Sequence, residues 1–155
     1  MEKKTLIRAV IGIAVTVFFV NILPVLADDV EDAVLKPRVS QERLASVRSM
    51  KNPVAADSQS IARGKEIFYG KGLCYNCHGD KGKGDGPGGA SFDPGPRNFT
   101  DTAWQKARTD GEIFTAITEG TQYGMIPFGD NLTEKERWDL VNFLRTFGGV
   151  AVVKK

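Results

Sequence analysis

Cys74-Tyr75-Asn76-Cys77-His78 places two thiols and an imidazole within five consecutive residues. This C-x-x-C-H spacing is the attachment pattern of a c-type haem. Residues three apart on one helical turn are neighbours, so each thiol can form a thioether with one of the porphyrin's two vinyl groups while His78 reaches the iron. Other chemistries fit worse. A disulfide between Cys74 and Cys77 would close a very small ring and leave the histidine without a role. A thioredoxin-type C-x-x-C calls for a βαβ context that is absent here. Zinc calls for four ligands, and the chain has no second cysteine pair and no second histidine.

A second iron ligand follows by elimination. His78 is the only histidine, so two histidines of one chain cannot share an iron. Of the three methionines, Met1 lies in the leader and Met50 precedes the cysteines. Met125 remains, in Gly124-Met125-Ile126-Pro127-Phe128. An isolated methionine is most often core filler. This one follows C-x-x-C-H in a loop flanked by Gly and Pro, between two helical segments, which favours the ligand reading. Histidine and methionine together raise the potential of the iron and fill both axial positions. A metal site made of His78 and Met125 passes electrons rather than binding oxygen.

The elements that must position these residues read as helices. Ser58 to Lys71 carries Ile61, Gly64, Lys65 and Phe68 at helical spacing, with Asp57 or Ser58 as N-cap, and leads directly into the cysteines. Thr109-Asp110-Gly111-Glu112 and Thr133-Glu134-Lys135-Glu136 both match the S/T-x-x-E capping box and open Ile113 to Glu119 and Arg137 to Phe147. A shorter helix is expected over Asp101 to Ala107. The last helix aligns Trp138, Val141 and Leu144, and Gly148-Gly149 ends it. Gly64 predicts a close approach of the first of these helices to the last, with Trp138 or Leu144 opposite. No segment shows strand alternation apart from the apolar tail Val150 to Val153, so the fold class is all-α. From Gly79 to Gly95 seven of 17 residues are glycine. The G-K-[S/T] ending of a phosphate loop is missing, and a loop wrapping an edge of the haem is the better reading, since glycine lets backbone approach a flat group closely.

Composition places the chain in its compartment. It has 155 residues, 41% hydrophobic and 26% charged, with a formal net charge of +2, which describes one ordinary globular domain. Met1 to Arg8 is basic, Ala9 to Val20 is apolar, and Val25-Leu26-Ala27 precedes Asp28-Asp29, the anatomy of a signal peptide cleaved after Ala27. The competing reading is an uncleaved anchor, because Ala9 to Ala27 is long enough to span a bilayer. Both readings put the remainder outside the cytoplasm, in the periplasm or anchored facing it. The leader removes three of the 21 basic and one of the 19 acidic residues, leaving 18 of each. Without a cationic excess to neutralise phosphates, nucleic-acid binding loses its main support.

The chain therefore divides into a leader over 1–27, an extended arm or linker over 28–56, a haem domain over 57–149 and a tail over 150–155. The arm mixes charges with few large apolar residues, with a helical turn around Gln41 to Met50; it reads as a mobile linker, or alternatively as a strap that docks on a partner.

These residues resemble the monohaem class I cytochrome c family from about Asn52 to Phe147. The resemblance rests on Gly64 and Phe68, Cys74 to Gly79, Gly84-Asp85-Gly86, Pro96-Arg97-Asn98-Phe99-Thr100-Asp101, Gly124 to Phe128 and Trp138. It implies a small set of helices wrapped around one covalently bound haem, with the terminal helices crossing. It also implies a proline carbonyl accepting from the proximal histidine, which would be Pro96, with Pro94 as the alternative. The expected function is one-electron transfer outside the cytoplasm, with redox proteins as donor and acceptor. Two alternatives stay open: a fixed cytochrome subunit of a larger respiratory oxidoreductase, and an open-site haem enzyme or sensor in which Met125 does not ligate.

Overall fold

A computed structural model describes residues 35–149. The leader read at 1–27, residues 28–34 of the arm and the tail 150–155 lie outside the described residues. Among the described residues these helices follow in chain order: α1 (Leu44–Ser49), entered through a 3-10 turn at Gln41–Arg43, α2 (Ser58–Tyr69), α3 (Tyr75–His78), α4 (Thr102–Ala107), α5 (Asp110–Glu119) and α6 (Glu134–Thr146). Among the described residues no strand is present, in line with the all-α expectation.

The helices begin where side chains can satisfy their first backbone donors. Asp57 accepts from the Ser60 N–H at 2.9 Å, and Asp101 accepts from those of Ala103 and Trp104. Both capping boxes are closed. Thr109 accepts from the Glu112 N–H while the Glu112 carboxylate accepts from that of Thr109, and Thr133 and Glu136 repeat the exchange. Caps of this kind contribute about 1 kcal/mol each.

Helices α2 and α6 cross at Gly64. A Cβ there would stand 2.2 Å from the Asp139 carbonyl oxygen and 2.7 Å from the Phe143 Cβ, so the absence of a side chain sets the spacing. The residues opposite are Asp139 and Phe143, not Trp138 or Leu144. One residue along a helix rotates the side chain by about 100°, and that step turns Trp138 onto Phe114 of α5, with ring centroids 3.9 Å apart, and Leu144 into the central cavity. Phe68 is fully buried and packs against Phe143 and Phe147. A polar network flanks the crossing. Ser60 donates to Asp139 at 2.6 Å, Arg63 and Lys135 donate to the same carboxylate, and Asn142 donates to the Ser60 hydroxyl. Burial alone pushes the Asp139 carboxyl up; the hydrogen bonds from Arg63, Lys135 and Ser60 outweigh it and hold the group below its ordinary value.

The helical turn expected around Gln41 to Met50 is present, and it is docked on the domain rather than part of a mobile linker. Helix α1 packs on α5, with Val47 buried and ion pairs joining Arg43 to Glu119 and Arg48 to Glu112. Composition did not reveal this because the docking uses one valine and a backbone contact at a glycine. A Cβ on Gly111 would lie 1.9 Å from the Val47 carbonyl oxygen and 2.8 Å from the Met50 Cβ. Gly111→Ala is therefore expected to lift α1 off α5. Overpacking of about 1–3 kcal/mol, at about 1.4 kcal/mol per tenfold, raises the undocked population roughly fivefold to a hundredfold. Trypsin cleavage at Arg43 and Arg48 should accelerate by that factor, and an unchanged rate would contradict the docking.

Candidate functional site

Past α2 the chain turns at Gly70 and at Leu73, whose φ of +47° is the one left-handed non-glycine conformation among the described residues. The turn delivers Cys74 to the start of α3 and Cys77 and His78 within it. Helix α3 has only four residues, and its support comes from the glycine-rich loop. The Gly84 N–H donates to the His78 carbonyl at 2.8 Å, and the Gly86 N–H donates to that of Cys77 at 3.1 Å. A Cβ on Gly86 would fall 2.4 Å from the Asn76 carbonyl oxygen. Gly86 thus permits a close approach to the backbone of α3, and within residues 79–95 Gly88 and Phe92 line the cavity described next.

Cys74, Cys77 and His78 open on a cavity of about 500 Å³, and Met125 lines it from the loop between α5 and α6. Its walls are apolar, built by Phe68 and Phe99 with Ile113 and Ile117 of α5 and Leu140 and Leu144 of α6. The volume lies within the roughly 300–1,000 Å³ of cofactor sites. The Met125 loop is held at both ends. Thr121 N–H donates to the Met125 carbonyl at 2.9 Å, and Phe128 N–H donates to that of Ile117 at 2.9 Å. Gly124 takes a φ of +96° between them. Leu73 and Ile126 stand exposed where the cavity opens.

His78 is buried against the ring of Phe99, with centroids 4.3 Å apart. Its Nδ1 lies 3.1 Å from the Arg97 carbonyl oxygen. A carbonyl only accepts, so Nδ1 carries the proton and the Nε2 lone pair is left for a metal. The partner is therefore not the Pro96 carbonyl, nor that of Pro94. Pro96 turns its carbonyl towards Gly84 and its ring towards Gly89, and the next carbonyl along meets the imidazole; Pro96 itself still lines the cavity. Burial holds the His78 imidazole down at about 4, with Arg38 acting in the same direction against the Arg97 hydrogen bond. Burial likewise pushes the Cys74 thiol up to about 12. The site keeps the imidazole neutral, the form that ligates metals.

One end of the cavity is cationic. Arg38, Arg97 and Arg108 line the cavity and act on one another, and among the described lining residues Glu112 is the one carboxylate; Lys71 lines it beside the attachment segment. Lys71 pairs with Glu136 at 2.6 Å, and Arg108 pairs with Glu112 at 2.9 Å. Burial, followed by the charges of Arg38 and Arg108, lowers Arg97 to about 10.

The structure brings all four predicted donors, Cys74, Cys77, His78 and Met125, to one cavity. Two thiols, a neutral imidazole and a thioether form a set capable of covalent attachment and iron ligation. Missed in the sequence were the Arg97 carbonyl and the arginines at positions 38 and 108. Their only local signal was adjacency, Arg97 to Pro96 and Arg108 to the capping box.

Residues 61–148 match the family described as Cytochrome c. The chain belongs to the cytochrome c family. Membership implies covalently bound haem c and an electron-transfer role. The cytochrome is similar to FixP, a cbb3-type cytochrome c oxidase subunit of Azorhizobium caulinodans, with 30% identity over 103 residues, 66% of this chain and 32% of FixP. It thus spans about a third of the length of that relative. Among solved structures it is similar to a chain of the reducing HAO-like protein complex of Kuenenia stuttgartiensis, at 28% identity and a TM-score of 0.55, covering 64% of this chain and 49% of that one. A c-type cytochrome, KustC0563, aligns at 34% identity with a TM-score of 0.48, over 54% of this chain and 95% of that one.

Proposed function

We propose that this cytochrome is a one-electron carrier outside the cytoplasm, with one haem c attached through Cys74 and Cys77 and ligated by His78 and Met125. The observation that carries the reading is that both thiols, the imidazole and the thioether open on one apolar cavity of about 500 Å³. Bound there, the haem supplies an iron that cycles between the ferric and ferrous states. The chain does the rest. His78 offers Nε2 while its Nδ1–H, donated to Arg97, fixes the ring and raises its basicity as a ligand. Met125 would hold the iron through its thioether sulfur and would favour the reduced state. The phenylalanine and leucine walls keep water from the iron, and Leu73 and Ile126 present an apolar rim for brief contact with donor and acceptor proteins. Lys71, Lys81 and Lys83 are exposed near the attachment segment, interspersed with exposed Asp80 and Asp85. A positive docking patch there calls for electron-transfer rates that fall with ionic strength.

Met125 is the residue on which carrier and open-site enzyme or sensor part. Met125→Ala should abolish the weak far-red absorption band of ferric iron bound to methionine sulfur, and introduce high-spin haem. The midpoint potential should drop by on the order of 0.1–0.2 V, within the roughly 0.8 V that axial ligands span. A far-red band retained in the variant would remove Met125 from the iron.

The second reading, a fixed subunit of a larger redox complex, is favoured by two names: FixP is an oxidase subunit, and the structural neighbour comes from a protein complex. Among the described residues no helix is long and apolar enough to cross a membrane. Crosslinking through residues 28–51 followed by sizing of the native assembly separates the two. A stable high-mass adduct supports the subunit, and recovery of the single chain supports the mobile carrier.

A further inference from the structure

Residues 35–39 precede the matched family segment, yet Arg38 and Val39 line the cavity. Backbone and side chain both seat this stretch. The Leu35 carbonyl accepts from Arg108 and the Lys36 carbonyl accepts from Arg97. Arg38 reaches two loops at once. It donates to the Gly95 carbonyl at 2.9 Å, and its guanidinium lies over the Tyr123 ring, 5.2 Å from the centroid, inside the roughly 6 Å at which such a pair attracts.

Those two loops carry the supports of both axial positions. Gly95 stands two residues before Arg97, whose carbonyl faces the His78 Nδ1, and Tyr123 stands two residues before Met125. The loops also meet without Arg38. A Cβ on Gly124 would fall 2.6 Å from the Phe92 ring, so the segment leading to Gly95 covers the loop of Met125. That loop depends on ties from outside. Its own backbone bonds, from the Thr121 N–H to the Met125 carbonyl and from the Gly124 N–H to that of Thr121, close a turn, but Gln122, Gly124, Ile126 and Pro127 are exposed. A segment with few buried contacts and so much exposed backbone opens at low free energy unless its neighbours hold it.

We propose that Arg38 is a positioning residue for Met125: together with Phe92 it clasps the 121–126 loop against the 92–97 loop, and the seating of residues 35–39 sets how often the methionine leaves the iron. The proposal rests on the reading that His78 and Met125 ligate a haem in this cavity. Met125 favours the reduced state while it is bound. Drawing residues 35–39 off the domain removes Arg38 from Tyr123, frees the loop and lowers the potential. The strap thereby couples the segment that leads into the domain from the N-terminal side to the ligation of the iron.

The test uses the ferric full-length holoprotein with imidazole as the probe, because an added ligand binds only as fast as Met125 leaves. Arg38→Gln, Tyr123→Leu and the double variant are compared by the rate at which imidazole removes the far-red band. Each single replacement should raise that rate roughly threefold to thirtyfold, the range of one cation–aromatic contact. The double variant should bind no faster than the faster single, since one contact is lost only once. The charge of Arg38 acts on the iron with or without the Tyr123 ring, so it cancels in this comparison. Tyr123→Phe, which keeps the ring, should keep the wild-type rate. Hydrogen exchange over residues 121–126 should accelerate in step with imidazole binding, while exchange in α2 and α6 stays unchanged. Should Arg38→Gln fail to hold haem, Tyr123→Leu against Tyr123→Phe decides alone, and equal rates in those two overturn the clasp. Single effects that multiply in the double variant, or wild-type rates throughout, also overturn the clasp and leave the carrier reading intact. A wild-type protein without the far-red band takes Met125 off the iron and overturns both.

Discussion

Replacing Cys74 and Cys77 together by alanine is expected to yield a chain with no cooperative unfolding transition. The reason lies in volume. The two thiols border an apolar cavity of about 500 Å³, which a polypeptide core of this size does not fill by itself. Left unfilled, the apolar walls would stand against water with nothing to pack on, a loss of burial that weighs heavily against a total stability of about 5–15 kcal/mol for a domain. The walls would collapse inward, and Phe68, Phe99, Leu140 and Leu144 would lose the arrangement that aligns α2, α5 and α6. Calorimetry and near-ultraviolet circular dichroism check this. A sharp transition near that of the haem-bearing protein would show that the polypeptide core suffices and that the cavity is not part of the folding free energy. Single replacements separate the roles of the thiols: Cys74→Ala or Cys77→Ala leaves one thioether, which shifts the reduced absorption maximum while keeping the fold.

Gly64→Ala is expected to have the next largest effect. In most exposed helices alanine stabilises relative to glycine by about 1 kcal/mol. Here the added methyl meets backbone, the Asp139 carbonyl oxygen at 2.2 Å, and the Phe143 Cβ at 2.7 Å. Neither can rotate away, so α2 and α6 must part. That movement loosens Phe68 against Phe143 and strains the Ser60 and Arg63 hydrogen bonds to Asp139. Overpacking of this kind costs about 3 kcal/mol, which lowers the melting temperature by roughly 10–20 °C for a domain of this size. Thermal unfolding in the ferric state checks it. A melting temperature equal to or above wild type would mean that the helix crossing can slide without loss.

What could be read along the chain, and what could not, divides by the range of the interaction. The C-x-x-C-H segment, both capping boxes and the helix stop at Gly148-Gly149 are contiguous patterns whose physics acts within a few residues, and each stands in the fold where it was expected. Gly64 was legible as a close-approach site, because a glycine inside an apolar-periodic helix has few other uses. Its partners were not, since one residue of register on α6 separates Asp139 and Phe143 from Trp138 and Leu144. The glycine-rich loop was legible as a place of close approach, but nothing in the spacing of its glycines states what each one approaches: Gly86 meets the α3 backbone, Gly82 the Phe147 ring and Gly84 the Pro96 carbonyl.

The candidate donors, Cys74, Cys77, His78 and Met125, came from residue type, spacing and elimination, because so few groups in this chain can bind iron or a vinyl carbon. Everything that surrounds them was decided by folding. Which carbonyl holds His78, Arg97 rather than Pro96, depends on how a loop 19 residues away lies against the ring. That the helical residues 41–49 dock on α5 rather than move as a linker depends on a glycine of α5 admitting the Val47 carbonyl. That arginines at positions 38, 97 and 108 meet at one end of the cavity depends on three segments packing together. Charges and backbone groups far apart in the chain have no periodicity to announce their meeting, and only close packing in three dimensions brings them within hydrogen-bonding reach.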